Sequence, residues 1–244
     1  MRSQCRIVLV GTSHPANIGA AARAMKTMAL DDLHLVTPQC EVDSQAIAMA
    51  AHADDLLASA QVQESLPMAL TDATLVLGLT ARPRREGVPA LTPKEAAMLV
   101  KAESGPTAVV FGRERTGLTN EELGVCQRLV HIPANPAYPA LNLAAAVQIM
   151  AYELFCADQA GESLVQDPLF EEPHPMATGK HLEALHDLFE RLVMMAQISG
   201  DQSQERLKLR LRAYINRTRP TVAEADMLHG LLKRFVILKG QSDE

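Results

Sequence analysis

The side chains of this chain best suited to chemistry are few and polar. Asn17 and Arg23 stand about two helical turns apart in Asn17-Ile18-Gly19-Ala20-Ala21-Ala22-Arg23. Glu114 sits among Gly112, Arg113, Arg115 and Gly117, directly after the apolar run that ends in Val110-Phe111, and Asn142 follows Pro139-Ala140-Leu141. These types suit positioning and charge stabilisation. A guanidinium can hold a developing oxyanion but rarely surrenders its proton, since its pKa lies above about 12. Glycines beside Glu114 let a backbone approach a ligand where a Cβ would clash. Thr119-Asn120-Glu121-Glu122 is also a capping box, which starts a helix on its own account but leaves Gly112, Glu114 and Gly117 unexplained. Pro133 and Pro136, rigid and extended, precede a helix beginning near Leu141-Asn142, so this loop presents main-chain groups to a ligand. Read alone, Asn17 is a helix cap and Arg23 a solvated helix residue.

Other chemistries are disfavoured. Gly11-Thr12-Ser13-His14-Pro15-Ala16-Asn17-Ile18-Gly19 fits neither the dinucleotide-binding fingerprint nor the P-loop. Cys5, Cys40, Cys126 and Cys156 stand far apart, with no Cys-x-x-Cys pair and no histidine at ligand spacing, so they are expected as reduced core residues and no metal is expected. The apolar run before Gly11 is too short for a signal peptide or a membrane span, which leads to the expectation of a cytoplasmic protein without membrane contact. A net charge of −6 argues against a non-specific nucleic-acid binder, but the charge is uneven. Arg82, Arg84 and Arg85 cluster, and residues 205–219 hold Arg206, Lys208, Arg210, Arg212, Arg217 and Arg219 against one acid. Such a run is either a solvated helix face or a track for phosphates.

The elements that must position these residues alternate through residue 157. Strands are expected at 7–10, 33–36, 74–79, 107–111 and 129–132, and helices at 18–28, 44–57, 67–71, 93–102, 120–126 and 143–157. That alternation describes an α/β domain with a mostly parallel sheet flanked by helices, its strand carboxyl ends gathered round a ligand crevice. Prolines at 168, 173 and 175 and acids at 162, 167, 171 and 172 mark a break in periodicity. Beyond it three amphipathic segments, around 182–193, 207–215 and 228–236, predict a small C-terminal helical domain that must dock on something to bury its core.

The segments 17–28, 110–123 and 132–143, in this order, resemble the three motifs of the SPOUT RNA methyltransferases. The likeness is greatest to the bacterial TrmJ-type tRNA ribose 2′-O-methyltransferases, and it extends to Ile7-Val8-Leu9-Val10, Ser44-Gln45-Ala46-Ile47-Ala48 and Arg217-Thr218-Arg219-Pro220. The resemblance implies a trefoil-knotted SPOUT domain over 1–158, a linker over 159–179 and a helical tRNA-binding extension over 180–244. It implies S-adenosylmethionine as cofactor, held at Leu79, Thr80, Ala81, Gly112, Ile132, Pro139, Ala140 and Leu141, and Arg23 as the catalytic residue assisted by Asn17, Glu114 and Asn142. Arg82, Arg84, Arg210, Arg212, Arg217 and Arg219 become candidate RNA contacts, and a homodimer completes each site across its interface. The implied reaction is 2′-O-methylation of cytidine or uridine at nucleotide 32 of the tRNA anticodon loop. A ribosomal-RNA 2′-O-methyltransferase and a catalytically silent RNA-binding module remain the alternatives. Many relatives carry serine where Ala140 stands, and usually glycine where Ala29 stands.

Overall fold

In a computed structural model the described residues are 5–81, 90–159, 175–196 and 201–240. The run Cys5–Val10 (β1) is apolar at nearly every position, which suits a strand covered on both faces rather than one. It forms the middle of a six-stranded parallel sheet with Leu33–Val36 (β2), Gln61–Gln63 (β3), Leu75–Leu79 (β4), Thr107–Phe111 (β5) and Arg128–Val130 (β6), in the order β3-β2-β1-β5-β4-β6. Side chains alternate faces along each strand. Ile7, Leu9, Leu33, Leu35, Leu75, Leu77, Val109 and Phe111 therefore enter one core cluster, and Val8, Val10, Val36, Val76, Ala108 and Val110 enter another. Helices Pro15–Thr27 (α1), Ser44–Ala50 (α2), Asp54–Ser59 (α3), Pro93–Ala102 (α5) and Leu143–Gln159 (α7) cover the first face. Leu66–Ala69 (α4) and Asn120–Gly124 (α6) cover the second.

One expected element comes out differently, and one further strand is present. The single helix expected over 44–57 is broken, because Ala51 and His52 adopt positive φ (45° and 75°) and divide it into α2 and α3. Strand β3 went unforeseen: Gln61 and Val62 are exposed, so this edge strand carries none of the buried alternation that marks a strand in sequence.

Ala29 stands just beyond α1 with φ 57°. That left-handed conformation favours glycine, and an alanine there costs about 1 kcal/mol. Ala29→Gly is therefore expected to raise stability by about that amount, readable as a higher urea midpoint at unchanged m-value. An unchanged or lower midpoint would show that the unfolded-state entropy of the added glycine outweighs the relieved strain.

Three further helices, Gly179–Met195 (α8), Asp201–Thr218 (α9) and Val222–Gly240 (α10), share a small core cluster of Leu182, Leu185, Ile215 and Ala225 with Ala177 just before α8. So small a core needs support. The α/β unit provides it: Gly179 and Lys180 donate their backbone N–H to the carbonyls of Ala73 and Thr71, both at 3.0 Å. Asn216 Nδ2 donates to the Gly124 carbonyl at 2.6 Å, and Arg219 forms an ion pair with Glu103, whose side chain is only 5% exposed.

The Asn216 contact is extended by His186, whose Nε2 lies 3.0 Å from Asn216 Oδ1 inside the helical unit. Burial, then the neighbouring Arg212 charge, push the His186 pKa down to about 4 against the opposing hydrogen bond that the ring donates to Asn216 Oδ1. The unfolded chain takes up this proton below pH about 6.5, while the folded chain resists until about 4. Stability from this group is therefore complete above pH about 6.5 and falls as pH drops toward 4, by roughly 3 kcal/mol at most. Thermal melts at both ends of that window should show a smaller acid loss for His186→Gln than for the wild type. Equal losses would remove His186 as the cause.

Candidate active site at the carboxyl end of the sheet

The loops leaving β1 and β5, together with the approach to α7, meet through one chain of hydrogen bonds. The loop after β1 carries Ser13, whose backbone N–H donates to both Glu114 oxygens at 3.3 Å and whose Oγ donates to Glu114 Oε2 at 3.1 Å. Asn17 Nδ2 donates to Glu114 Oε1 at 2.9 Å, and Asn142 Nδ2 donates to Asn17 Oδ1 at 3.0 Å. Residues about a hundred positions apart are thereby locked into one polar cluster. Burial raises the Glu114 pKa, but the bonds from Asn17, from its own backbone and from Ser13 outweigh it and leave the carboxyl below its ordinary value. Glu114 is thus a fixed anionic acceptor that organises its neighbours, and a poor general base.

Local sequence explains why each group sits there. α1 starts earlier than Asn17, because Pro15 takes the first helical turn and His14 the cap position. Asn17 is therefore not a cap but a residue inside the helix, 9% exposed, with its amide turned to the cluster. The loop after β5 closes on itself: Arg113 and Gly117 exchange backbone hydrogen bonds of 3.3 and 2.9 Å, and Gly117 has φ 68°. A Cβ at Gly112 would lie 2.2 Å from the Gly117 and Leu118 backbone. Both glycines are required by the loop's own fold, a reason the sequence reading assigned instead to a ligand. Arg113 extends the frame by a forked bond to Glu122 at 3.0 Å, while Thr119 and Glu122 form the expected capping box of α6.

The positions expected to hold the cofactor gather at the same end. Leu79 closes β4, Gly112 follows β5, Ile132 lies two residues beyond β6, and exposed Pro139, Ala140 and Leu141 lead into α7. Thr80 is tied to the sheet by its N–H to the Val130 carbonyl at 2.9 Å, and Ala81 beyond it is exposed. The main-chain amides of Ile132, Ala140 and Leu141 have no protein partner among the described residues. Apolar side chains beside unpaired amides suit a ligand recognised through the main chain. Asn142 Nδ2 donates to Asn17 Oδ1, and its Oδ1 accepts from Ala144 N at 2.9 Å at the start of α7.

Arg23 is apart from this cluster. It is exposed, about 9 Å further along α1 and turned roughly 120° from Asn17, and it has no hydrogen-bond or ion-pair partner among the described residues. Of the basic candidates, Arg82 and Arg84 lie outside the described residues. Arg212 is paired with Glu183 and Arg219 with Glu103, whereas Arg210 and Arg217 are exposed. Ser13 was missed by the sequence reading; its place directly after a buried strand end was the available signal. Among the described residues no group of three or more His, Cys, Asp or Glu could hold a metal ion, and no helix is long and apolar enough to cross a membrane.

The chain matches the SpoU rRNA Methylase family model over residues 4–152, the span that forms the six-stranded parallel sheet and carries the polar cluster. Beyond that domain, the tRNA (cytidine/uridine-2′-O-)-methyltransferase TrmJ of Pectobacterium atrosepticum is 43% identical over 95% of this chain and 96% of its own length. The crystal structure of TrmJ from Z. mobilis ZM4 superposes with a TM-score of 0.84 at 29% identity, covering 94% of this chain and 98% of that one. A probable methylase family protein from Haemophilus influenzae Rd KW20 is 39% identical over the whole of both chains, with a TM-score of 0.63. The chain belongs to the SpoU methylase family and, within it, to the TrmJ group of tRNA methyltransferases.

Proposed function

We propose that the protein transfers a methyl group from S-adenosylmethionine to the ribose 2′-hydroxyl of cytidine or uridine at nucleotide 32 of the tRNA anticodon loop. The observation that carries this reading is the convergence of Ser13, Glu114, Asn17 and Asn142 at the same end of the sheet as the amides of Ile132, Ala140 and Leu141, which have no partner among the described residues. The full-length likeness to tRNA enzymes, tail included, favours tRNA over ribosomal RNA.

Residues 79–81, Gly112, Ile132 and 139–141 would hold the cofactor, which supplies an activated methyl on a sulfonium. The protein's share is alignment of the hydroxyl and handling of its proton. Glu114, kept ionised, fixes the Asn17 amide, and Asn17 in turn fixes Asn142. Arg23 stabilises the oxygen as it loses its proton. Its exposure, and its distance from the cluster within one chain, support a homodimer in which Arg23 serves the partner's site.

A threaded chain is part of the same reading. Val130 and His131 are bracketed by the two ends of the 80–91 segment: Thr80 N donates to Val130 O and His131 N to Leu91 O, both at 2.9 Å, and His131 Nδ1 lies 3.1 Å from Thr80 O. Thr80 on one side of this strand end and Leu91 on the other is the arrangement a knot of the SPOUT type would use. We divide the chain into a methyltransferase domain over 1–158, a link over 159–179 and a helical extension over 180–244, and place it in the cytoplasm with its tRNA substrate.

The test is to incubate the protein with labelled S-adenosylmethionine and unmodified tRNA, then locate ribose methylation by resistance to alkaline cleavage. Methylation at nucleotide 32 is the expected result. Methylation of ribosomal RNA alone, or of neither, would overturn the assignment.

A further inference from the structure

The carboxyl end of β6 is held from both sides. Leu79 and Val130 are the last registered pair between β4 and β6, and Thr80 N then donates to the Val130 carbonyl at 2.9 Å. On the other side Leu91 N donates to the Leu129 carbonyl at 2.8 Å, and His131 N donates to the Leu91 carbonyl at 2.9 Å. The backbone of His131 is thus fixed independently of its ring. That ring is half-buried, and its Nδ1 lies 3.1 Å from the Thr80 carbonyl oxygen. A carbonyl offers only lone pairs, so the hydrogen sits on Nδ1 and the imidazole is the donor.

This bond sets the plane of one peptide group. The Thr80 carbonyl and the Ala81 N–H belong to the same peptide, which is trans like every other among the described residues, so the two point in opposite directions. With the carbonyl turned onto the His131 ring, the Ala81 N–H is turned away from it. Ala81 is exposed, and its amide has no partner among the described residues. The Ile132 amide is likewise without one, and Ala81 and Ile132 each stand two residues beyond the pair formed by Leu79 and Val130. A donor whose direction is already fixed binds an acceptor without first having to be ordered.

We propose that His131 is a positioning residue for the cofactor: its ring holds the Thr80 carbonyl so that the Ala81 N–H is presented to an acceptor atom of S-adenosylmethionine. The inference rests on the proposed use of that cofactor. His131 acts through the peptide it orients, and its effect falls on cofactor affinity rather than on the transfer step.

The experiment is calorimetric titration of the full chain with S-adenosylmethionine, comparing wild type with His131→Asn, His131→Asp and His131→Leu. The Asn amide can place an N–H where Nδ1–H stands, whereas Asp, of the same size, turns only acceptors toward the Thr80 carbonyl. Affinity within about threefold of wild type is expected for His131→Asn, and a loss of about tenfold or more for His131→Asp, the scale of one hydrogen bond. His131→Leu, uncharged and without a donor, should lose about five- to tenfold, and it decides the matter if the Asp variant does not fold. In methylation assays the Asp and Leu variants should show the loss as a raised KM for the cofactor, with kcat at saturation changed less than KM. Wild-type cofactor affinity in the folded donor-free variants would overturn the positioning role alone. Equal losses in all three variants would overturn it too, because shape and not the donor would then be responsible. A protein that binds S-adenosylmethionine with this dependence but methylates no tRNA would sink the proposed activity and keep the positioning role. A wild type that binds no S-adenosylmethionine would sink both.

Discussion

Arg23→Ala is expected to abolish methyl transfer to tRNA while leaving S-adenosylmethionine affinity within a few-fold of wild type. The exposed Arg23 side chain makes no hydrogen bond or ion pair among the described residues, so its removal disturbs little structure. On the proposed mechanism the variant loses the cation that stabilises the developing alkoxide, and the loss of one such donor costs about 10²- to 10³-fold in kcat. Calorimetric titration with the cofactor and a tritium-transfer assay on one preparation check both halves. The geometry adds a second arm. If Arg23 serves the neighbouring chain, mixing Arg23→Ala with Glu114→Ala chains, each inactive alone, should restore about a quarter of wild-type activity, because half the dimers are mixed and one of their two sites is intact. Wild-type turnover in Arg23→Ala would remove this residue from the mechanism, and failure to complement would place Arg23 in its own chain's site.

Arg219→Ala is expected to cost about 3 kcal/mol of stability, because it leaves Glu103 buried without its cation. For a chain of this length that corresponds to a fall in Tm of roughly 6 to 12 °C. Glu103 also accepts from Thr74 Oγ1 at 3.0 Å, at the start of the strand that leads to Leu79, so the pair joins the helical unit to the frame of the cofactor loops. Replacing both partners by leucine should recover much of the loss, since removing an ion pair whole is cheaper than stranding one charge. A single variant melting within about 1 °C of wild type would show that water reaches Glu103 and that the pair is not a brace.

Much of this architecture was legible in the chain itself. Apolar runs with alternating faces placed five of the six strands, the capping box at Thr119 and Glu122 placed α6, and the period of the tail placed three helices. These are local signals, carried by residues whose burial shows in their own neighbourhood. β3 escaped because an exposed edge strand has no such signal, and the break at Ala51 and His52 escaped because neither residue type advertises a positive φ.

The identities of the polar residues, their order and the family they resemble were determined by the sequence. Tertiary structure alone decided their assignments. It placed Glu114 beside Ser13 and Asn17, and Asn17 beside Asn142, through hydrogen bonds that cross about a hundred residues of chain. It also divided the arginines of the tail, turning Arg212 and Arg219 onto Glu183 and Glu103 while leaving Arg206, Arg210 and Arg217 open with Arg128. In sequence all five tail arginines are the same charge at similar spacing. Which of them meets a carboxylate and which meets water depends on how α8, α9 and the sheet pack, and that long-range geometry is written in no local run of residues.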